Sequence, residues 1–219
     1  MTSPAPLRID FVSDIVCPWC VIGLKSLEQA LANLGGEVAP DWHFHPFELN
    51  PQMPPEGENS AEHIARKYGR PPEEGAAARG RIKAMGEDLG FAFKGGPDSM
   101  IWNTFNCQRL LHWAQRAGKA HDVKMALFEA HFTRAEPLSD PDTLIRAAAS
   151  VRLDGDAARE VLASGRYADE VRANERWWRD EQDITAVPAI IFDGKYAVVG
   201  GQPAVAFEKV IRRILAGEV

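Results

Sequence analysis

Strand character in this chain is confined to its two ends, and neither end can complete a sheet alone. Leu7 to Phe11 (LRIDF) alternates apolar and polar residues, and Asp41 to Phe47 alternates again with an aromatic bias, so both read as strands. Between them Val21, Leu24, Leu27, Leu31 and Leu34 recur at helical steps from Cys17 onward, and Gly35-Gly36 ends the run, which makes a β-α-β unit. Strand character returns at Ile184, where "AIIFDGKYAVVGG" is an apolar run, an Asp193-Gly194 turn of the type I′ kind, and a second run. Pro203 then opens a last helix to about Ala216. The spacing therefore predicts one four-stranded α/β unit made of residues 1–55 and 184–219, interrupted by 56–183.

From Ser60 to Asp183 nearly every segment is helical in period, with no strand candidate of comparable strength. Ser60 is the expected N-cap of Ala61–Tyr68, Pro72 opens a helix to about Leu89, and Asn103 caps "NTFNCQRLLHWAQRAG". Further helices are expected from Ala120 to Thr133, from Asp140-Pro141, after Asp154, and through "YADEVRANERWWRDEQD", where Trp177-Trp178 reads as helix packing.

The 219 residues, 45% hydrophobic, suffice for a large core. A net charge of −6 with no concentrated Lys/Arg run argues against nucleic acid or an anionic membrane as partner. No apolar run approaches a bilayer span, and "MTSPAPLRIDFVSD" has no secretory-signal pattern, so the expected location is cytoplasmic. An apolar helical block could also cover a second copy, which leaves a homodimer open.

Two of the three cysteines, Cys17 and Cys20, stand three positions apart where the first strand gives way to the helix. A zinc site would need two further ligands, and His43, His45, His63, His112, His121 and His131 offer no suitable pair beside a second Cys pair. At a helix N-terminus, unsatisfied amides and the dipole favour a thiolate, which is the nucleophile, and Cys17 holds that position. Cys20, one turn on, falls on the same face within bridging distance and is less exposed, so Cys17 attacks and Cys20 resolves. Pro18 and Trp19 stiffen the turn without adding charge. Far along the chain, Pro188 precedes an apolar strand in "DITAVPAIIFDG"; a cis Val187-Pro188 bond would set the Val187 backbone against the dithiol, free to pair with an extended peptide.

Together "DFVSDIVCPWCVIG", "HPFELNP", "NTFNCQRLLHWA" and "ITAVPAIIFDGKYAVVGGQP" resemble the DsbA family of thioredoxin-fold oxidoreductases, and its cytoplasmic FrnE-like branch, often linked with polyketide biosynthesis. The resemblance runs from Leu7 to about Ile214. It implies a thioredoxin-like fold with a large inserted helical domain, a CPWC dithiol/disulfide centre, a cis Pro188 preceded by Val187, and Cys17 attacking with Cys20 resolving. Pro18, Trp19, Val187 and Pro188 are the expected substrate contacts. The implied substrates are disulfide-containing proteins or peptides and small thiols, with no tightly bound cofactor and glutathione as a candidate co-substrate. The family's third motif usually reads Ala-His where this chain has Cys107-Gln108, so any role of that imidazole is lost.

The kappa-class glutathione transferases and 2-hydroxychromene-2-carboxylate isomerases look similar over the whole chain. They typically carry Ser where Cys17 stands, so keeping both cysteines favours dithiol exchange; a glutathione-dependent transferase or isomerase is the alternative, with Trp19, Phe47, Trp102 and Phe105 near the expected cleft. A binding module with an apolar groove is a third reading. Cys107 is expected to pack on the apolar side of its helix. Asp14, in the loop before Cys17, is expected to be a solvated carboxylate, and Asp10, Glu48 and Asn50 are given no catalytic role.

Overall fold

The computed structural model describes residues 3–69, 72–96 and 98–218. Strand β1 (Ala5–Ser13) runs parallel to β2 (Val38–Pro46), and the helix α1 (Pro18–Asn33) joins them. At the other end of the chain β5 (Ala189–Phe192) and β6 (Tyr196–Val199) form a hairpin, and β5 pairs antiparallel with β1. The sheet order is β2-β1-β5-β6, and α9 (Ala204–Leu215) packs on α1. The hairpin turn has positive φ at both Asp193 (50°) and Gly194 (67°), as a type I′ turn requires.

Alternation along the strands sorts side chains into two apolar layers. Leu7, Ile9, Phe11, Ile190 and Phe192 enter the main core with α1 and α9, while Val12, Ala189 and Ile191 meet Phe47 and Trp178 in a smaller one. The same alternation on β2 sends Trp42 and Phe44 toward His121, and sends His45 toward Trp178.

Between β2 and β5 lie α2 (Ser60–Tyr68), α3 (Pro72–Asp88), α4 (Phe105–Arg116), α5 (Ala120–Phe128), α6 (Pro141–Ser150), α7 (Gly155–Ser164) and α8 (Ala168–Arg176). Both α5 and α8 run on into a π-helical turn, Glu129–Thr133 and Trp177–Glu181. Asp140 and Asp154 cap α6 and α7 as their spacing predicts. At α2 the cap moves one residue: the Asn59 side chain accepts from Ala61 and Glu62, and Ser60 is already helical. Asn103 does accept from the Phe105 amide, at 3.0 Å.

One feature departs from the periodicity. A two-residue ladder pairs β3 (Glu58–Asn59) with β4 (Met100–Ile101), too short to leave an alternating pattern. The final hairpin falls on "AIIFDGKYAVVGG" as expected, with strand pairing beginning at Ala189, five residues after Ile184. Of the tryptophan pair, Trp178 is buried in the smaller core, but Trp177 is 46% exposed. Among the described residues no helix is long and apolar enough to cross a membrane.

Candidate active site at the start of α1

Strand β1 delivers the chain to a tight turn, closed by the Cys17 amide donating to the Asp14 carbonyl at 3.3 Å. Cys17 is the N-cap of α1, with extended backbone (φ −93°, ψ 110°), and Pro18 takes the first helical position, where no amide is lost. No side chain caps this helix, so its first amides have no side-chain acceptor. The Cys20 amide donates to the Cys17 carbonyl at 3.0 Å, which stacks the two thiols one turn apart. Both are unbridged, Cys17 at 4% exposure and Cys20 at 0%. Burial, then the neighbouring Cys17 sulfur, pushes the Cys20 thiol well above its ordinary value.

Across from Cys17 lies the loop before β5. The Val187–Pro188 bond is cis, and the Cys17 thiol donates to the Val187 carbonyl at 3.7 Å. Gly200 holds the Pro188 carbonyl at 2.8 Å. Two glycines permit this closeness. A Cβ on Gly23 would meet Pro188 Cγ at 2.9 Å, and one on Gly201 would meet the Trp19 carbonyl at 3.1 Å. Trp19 stands beside the pair, 40% exposed, while Pro18 and Val187 are half-buried. The six residues singled out in the sequence thus occupy one corner of the molecule.

Asp14 corrects the sequence reading. It is not a solvated loop carboxylate but fully buried, because the turn folds back under Leu49, whose amide donates to Oδ2 at 2.7 Å. Burial raises its pKa above the usual carboxylate range, while the Leu49 amide, Thr104 hydroxyl and Lys124 ammonium pull the other way. Lys124 of α5 went unnoticed in the sequence, and it is also at 0% exposure. Its signal was available: it shares a helix face with Leu127 and Phe128, where a lysine has no ordinary reason to be. Gln108 is a tie: its Nε2 donates to the Ser13 carbonyl at 3.1 Å and the Phe47 carbonyl at 3.3 Å. Cys107 packs as expected, fully enclosed, and burial pushes its thiol far up.

The remaining acidic residues are held in pairs. Burial alone would raise Asp10, but hydrogen bonds from His45 and Arg8 outweigh it and hold the carboxyl well below the usual range. Glu48 is buried against Arg172, and burial followed by repulsion from Glu175 pushes it up to about 7. Asn50 Oδ1 accepts from Lys67 at 2.7 Å and bonds His63 at 2.9 Å, on the surface side of the loop.

A Cys-x-x-Cys at a helix start, faced by a cis-proline loop that leads into an antiparallel strand, on a sheet of order β2-β1-β5-β6, defines a thioredoxin-like protein. The chain belongs to the DSBA-like thioredoxin domain family, whose pattern matches residues 8–212. It is similar to a probable DsbA oxidoreductase of Streptomyces coelicolor, at 31% identity and a TM-score of 0.89 over 97% of this chain and 91% of that one. It is 29% identical to YwbO, an uncharacterised protein of Bacillus subtilis, over 94% of this chain and 96% of that one. The cytosolic disulfide reductase DsbM of Pseudomonas aeruginosa, also solved with GSH, shares the fold at 14% identity and a TM-score of 0.64, covering 95% of this chain and 98% of that one. The fold is therefore a DSBA-like thioredoxin fold with a helical insertion.

Proposed function

We propose that this chain is a thiol–disulfide oxidoreductase of the FrnE-like branch, acting in the cytoplasm on disulfides of proteins, peptides or small thiols. The observation that carries the reading is the pairing of Cys17, at the helix start and 3.7 Å from the Val187 carbonyl, with a fully enclosed Cys20 behind it. The Cys17 thiolate attacks one sulfur of a substrate disulfide; that bond breaks and the other substrate sulfur leaves with the electron pair. Cys20 then attacks Cys17 Sγ, the second substrate sulfur leaves, and the enzyme ends oxidised. Run backwards, the same steps oxidise a dithiol substrate. The Val187 backbone offers an extended peptide a place to pair, and Trp19 offers an apolar flank. Glutathione is the co-substrate we expect to restore the dithiol, by likeness to DsbM. The sheet unit of residues 1–55 and 184–219 carries the chemistry, and 56–183 shapes its back wall.

Retention of both thiols favours this reading over a glutathione transferase or isomerase, which would need only one activating group. Reduction of insulin and refolding of a scrambled disulfide protein test it. Cys17→Ser should abolish both activities, and full activity in that variant would remove the proposal.

A further inference from the structure

Helix α8 and the π-helical turn that continues it have little apolar anchorage and a bend at each end. In α8 only Val171 and Glu175 are buried, and in the turn only Trp178. Tyr167 before the helix and Asp183 after the turn both take left-handed backbone, φ 64° and 52°, an uncommon conformation for residues that carry a side chain. Polar contacts therefore carry much of the docking, and they converge on Glu48, just past the end of β2. Arg172 Nη1 donates to Glu48 Oε2 and, at 3.1 Å, to Glu175 Oε2. Glu175 Oε1 accepts from the Glu48 amide at 2.6 Å and from Arg179 Nε and Nη2 at 3.3 and 3.2 Å, while Arg179 Nη2 also reaches the Glu48 carbonyl. The two guanidinium groups sit over the Phe105 and Phe47 rings, 3.8 and 3.7 Å from their centres.

The donors in this seam are unequally shared. Glu175 has Arg172, both bonded nitrogens of Arg179 and the Glu48 amide, whereas the Glu48 carboxyl, among the described residues, has the shared Arg172 nitrogen alone. Its Oε1 is buried without a partner, in a residue only 1% exposed. A carboxyl so placed costs less neutral than ionised, so the proton of the pair belongs to Glu48. The Trp178 indole N–H is also buried without a partner, so the seam closes over two bare polar groups that opening would return to water. We propose that Glu48 is the proton-operated latch of this segment: protonated, it lets α8 and its turn close on the sheet, and ionised, it lets them swing out about Tyr167 and Asp183. Trp178 carries the effect to the reaction site. Ile184 and Val187 pack against its cluster, and the Ile184 amide donates to the Trp178 carbonyl at 3.0 Å. Opening thus loosens the loop that presents the Val187 carbonyl to Cys17, and in this respect the inference rests on Val187 as the edge where a peptide pairs.

The other charges around Glu48 are accounted for. Asp14 comes from the β1–α1 turn, and Cys107, from α4, keeps its proton because it is buried. Lys67 of α2 holds the adjoining Leu49 carbonyl and Asn50 Oδ1, both at 2.7 Å, and on β2 His45 is bonded to Asp10. Burial and then Glu175 raise Glu48 to about 7, with Asp14 adding to the rise and Arg172 opposing it. Swung open, the carboxyl returns to its ordinary 4.5. The latch is therefore fully closed below pH about 4.5, weakens as pH rises to about 7, and changes no further above that.

Amide hydrogen exchange of the intact protein, read by mass spectrometry and corrected for the pH dependence of intrinsic exchange, tests the latch. Peptides covering 168–187 should open at least about tenfold more often than β1 at both pH 5 and pH 8. Their opening constant should rise by at least about tenfold from pH 5 to pH 8. In Glu48→Gln, neutral at every pH, that rise should vanish. A wild-type opening constant that is flat between pH 5 and pH 8 overturns the inference, whether or not Glu48→Gln folds. So does a rise that survives in Glu48→Gln. Exchange of 168–187 in step with β1 overturns it too, because the segment would then open only when the whole molecule unfolds. No substrate enters this measurement, so failure of insulin reduction in the same sample would strike the reading of the dithiol and leave the latch standing.

Discussion

Gly23 lies in the second turn of α1, directly beneath Pro188, and replacing it by alanine sets two known effects against each other. A methyl there would sit 2.9 Å from Pro188 Cγ and 3.6 Å from Gly201 Cα. Carbon atoms rest at about 3.5–4.0 Å, so something must move by at least about 0.6 Å. The proline ring is ill placed to yield, since its carbonyl holds the Gly200 amide at 2.8 Å and the neighbouring Gly201 has room for no Cβ, which would come within 3.1 Å of the Trp19 carbonyl and Ile22. Overpacking of this kind costs about 1–3 kcal/mol, whereas Gly→Ala in a helix interior returns about 1 kcal/mol. The expected net is a loss of about 1 kcal/mol, or roughly 2–4 °C in Tm for a chain of this size. The loop should also draw the Val187 carbonyl away from Cys17, lengthening the 3.7 Å contact. Urea unfolding of Gly23→Ala beside Gly80→Ala reads the difference, because Gly80 is exposed on α3 with open space around it and should gain stability. If Gly23→Ala gains about 1 kcal/mol as well, propensity alone governs the site and the close approach of loop and helix is not as described.

Gln108→Leu removes the donor to two buried carbonyls and should cost about 2–4 kcal/mol in urea unfolding; a change under about 0.5 kcal/mol would deny Gln108 its role as a tie. Glu48 is held near 7 in the folded protein against an ordinary 4.5, so the folded state binds more protons between those values. The contribution of Glu48 to stability should therefore be fullest below pH about 4.5 and fall, by up to about 1.4 kcal/mol per unit, as pH rises through 7. Glu48→Gln should lack that slope, and urea midpoints at pH 5 and pH 8 that shift equally in both proteins would contradict it. Trp19→Ala should raise KM for a peptide disulfide by about tenfold, or about 1.4 kcal/mol, while leaving the small dye disulfide unaffected; equal losses on both would place Trp19 in the chemistry itself.

Much of this molecule is legible along the chain because its signals are local. Alternation in β1 and β2, the Asp193-Gly194 turn, and the Asp140 and Asp154 caps each depend on neighbours within a few residues. The Cys17 position follows the same way, from a strand, a short turn and Pro18 at the first helical residue. What the sequence hid depends on packing between distant segments. Asp14 reads as a polar loop residue until Leu49 closes over it, thirty-five positions later. Lys124 reads as an ordinary helical lysine until α5 sets Phe44 and Phe128 around it. Gly23 looks like a defect in a helix until Pro188 arrives from the far end of the chain. The two-residue ladder of β3 and β4 spans a single period of alternation, too short to show a pattern.

Trapping tests the division of labour between the two thiols most directly. Cys20→Ser incubated with a disulfide-bonded peptide, then digested and weighed by mass spectrometry, should carry one peptide thiol on Cys17 and none on the buried Cys107, whereas wild type returns free of adduct with a Cys17–Cys20 bond. An adduct found on Cys107, or a variant that releases its peptide as fast as wild type, would contradict the account.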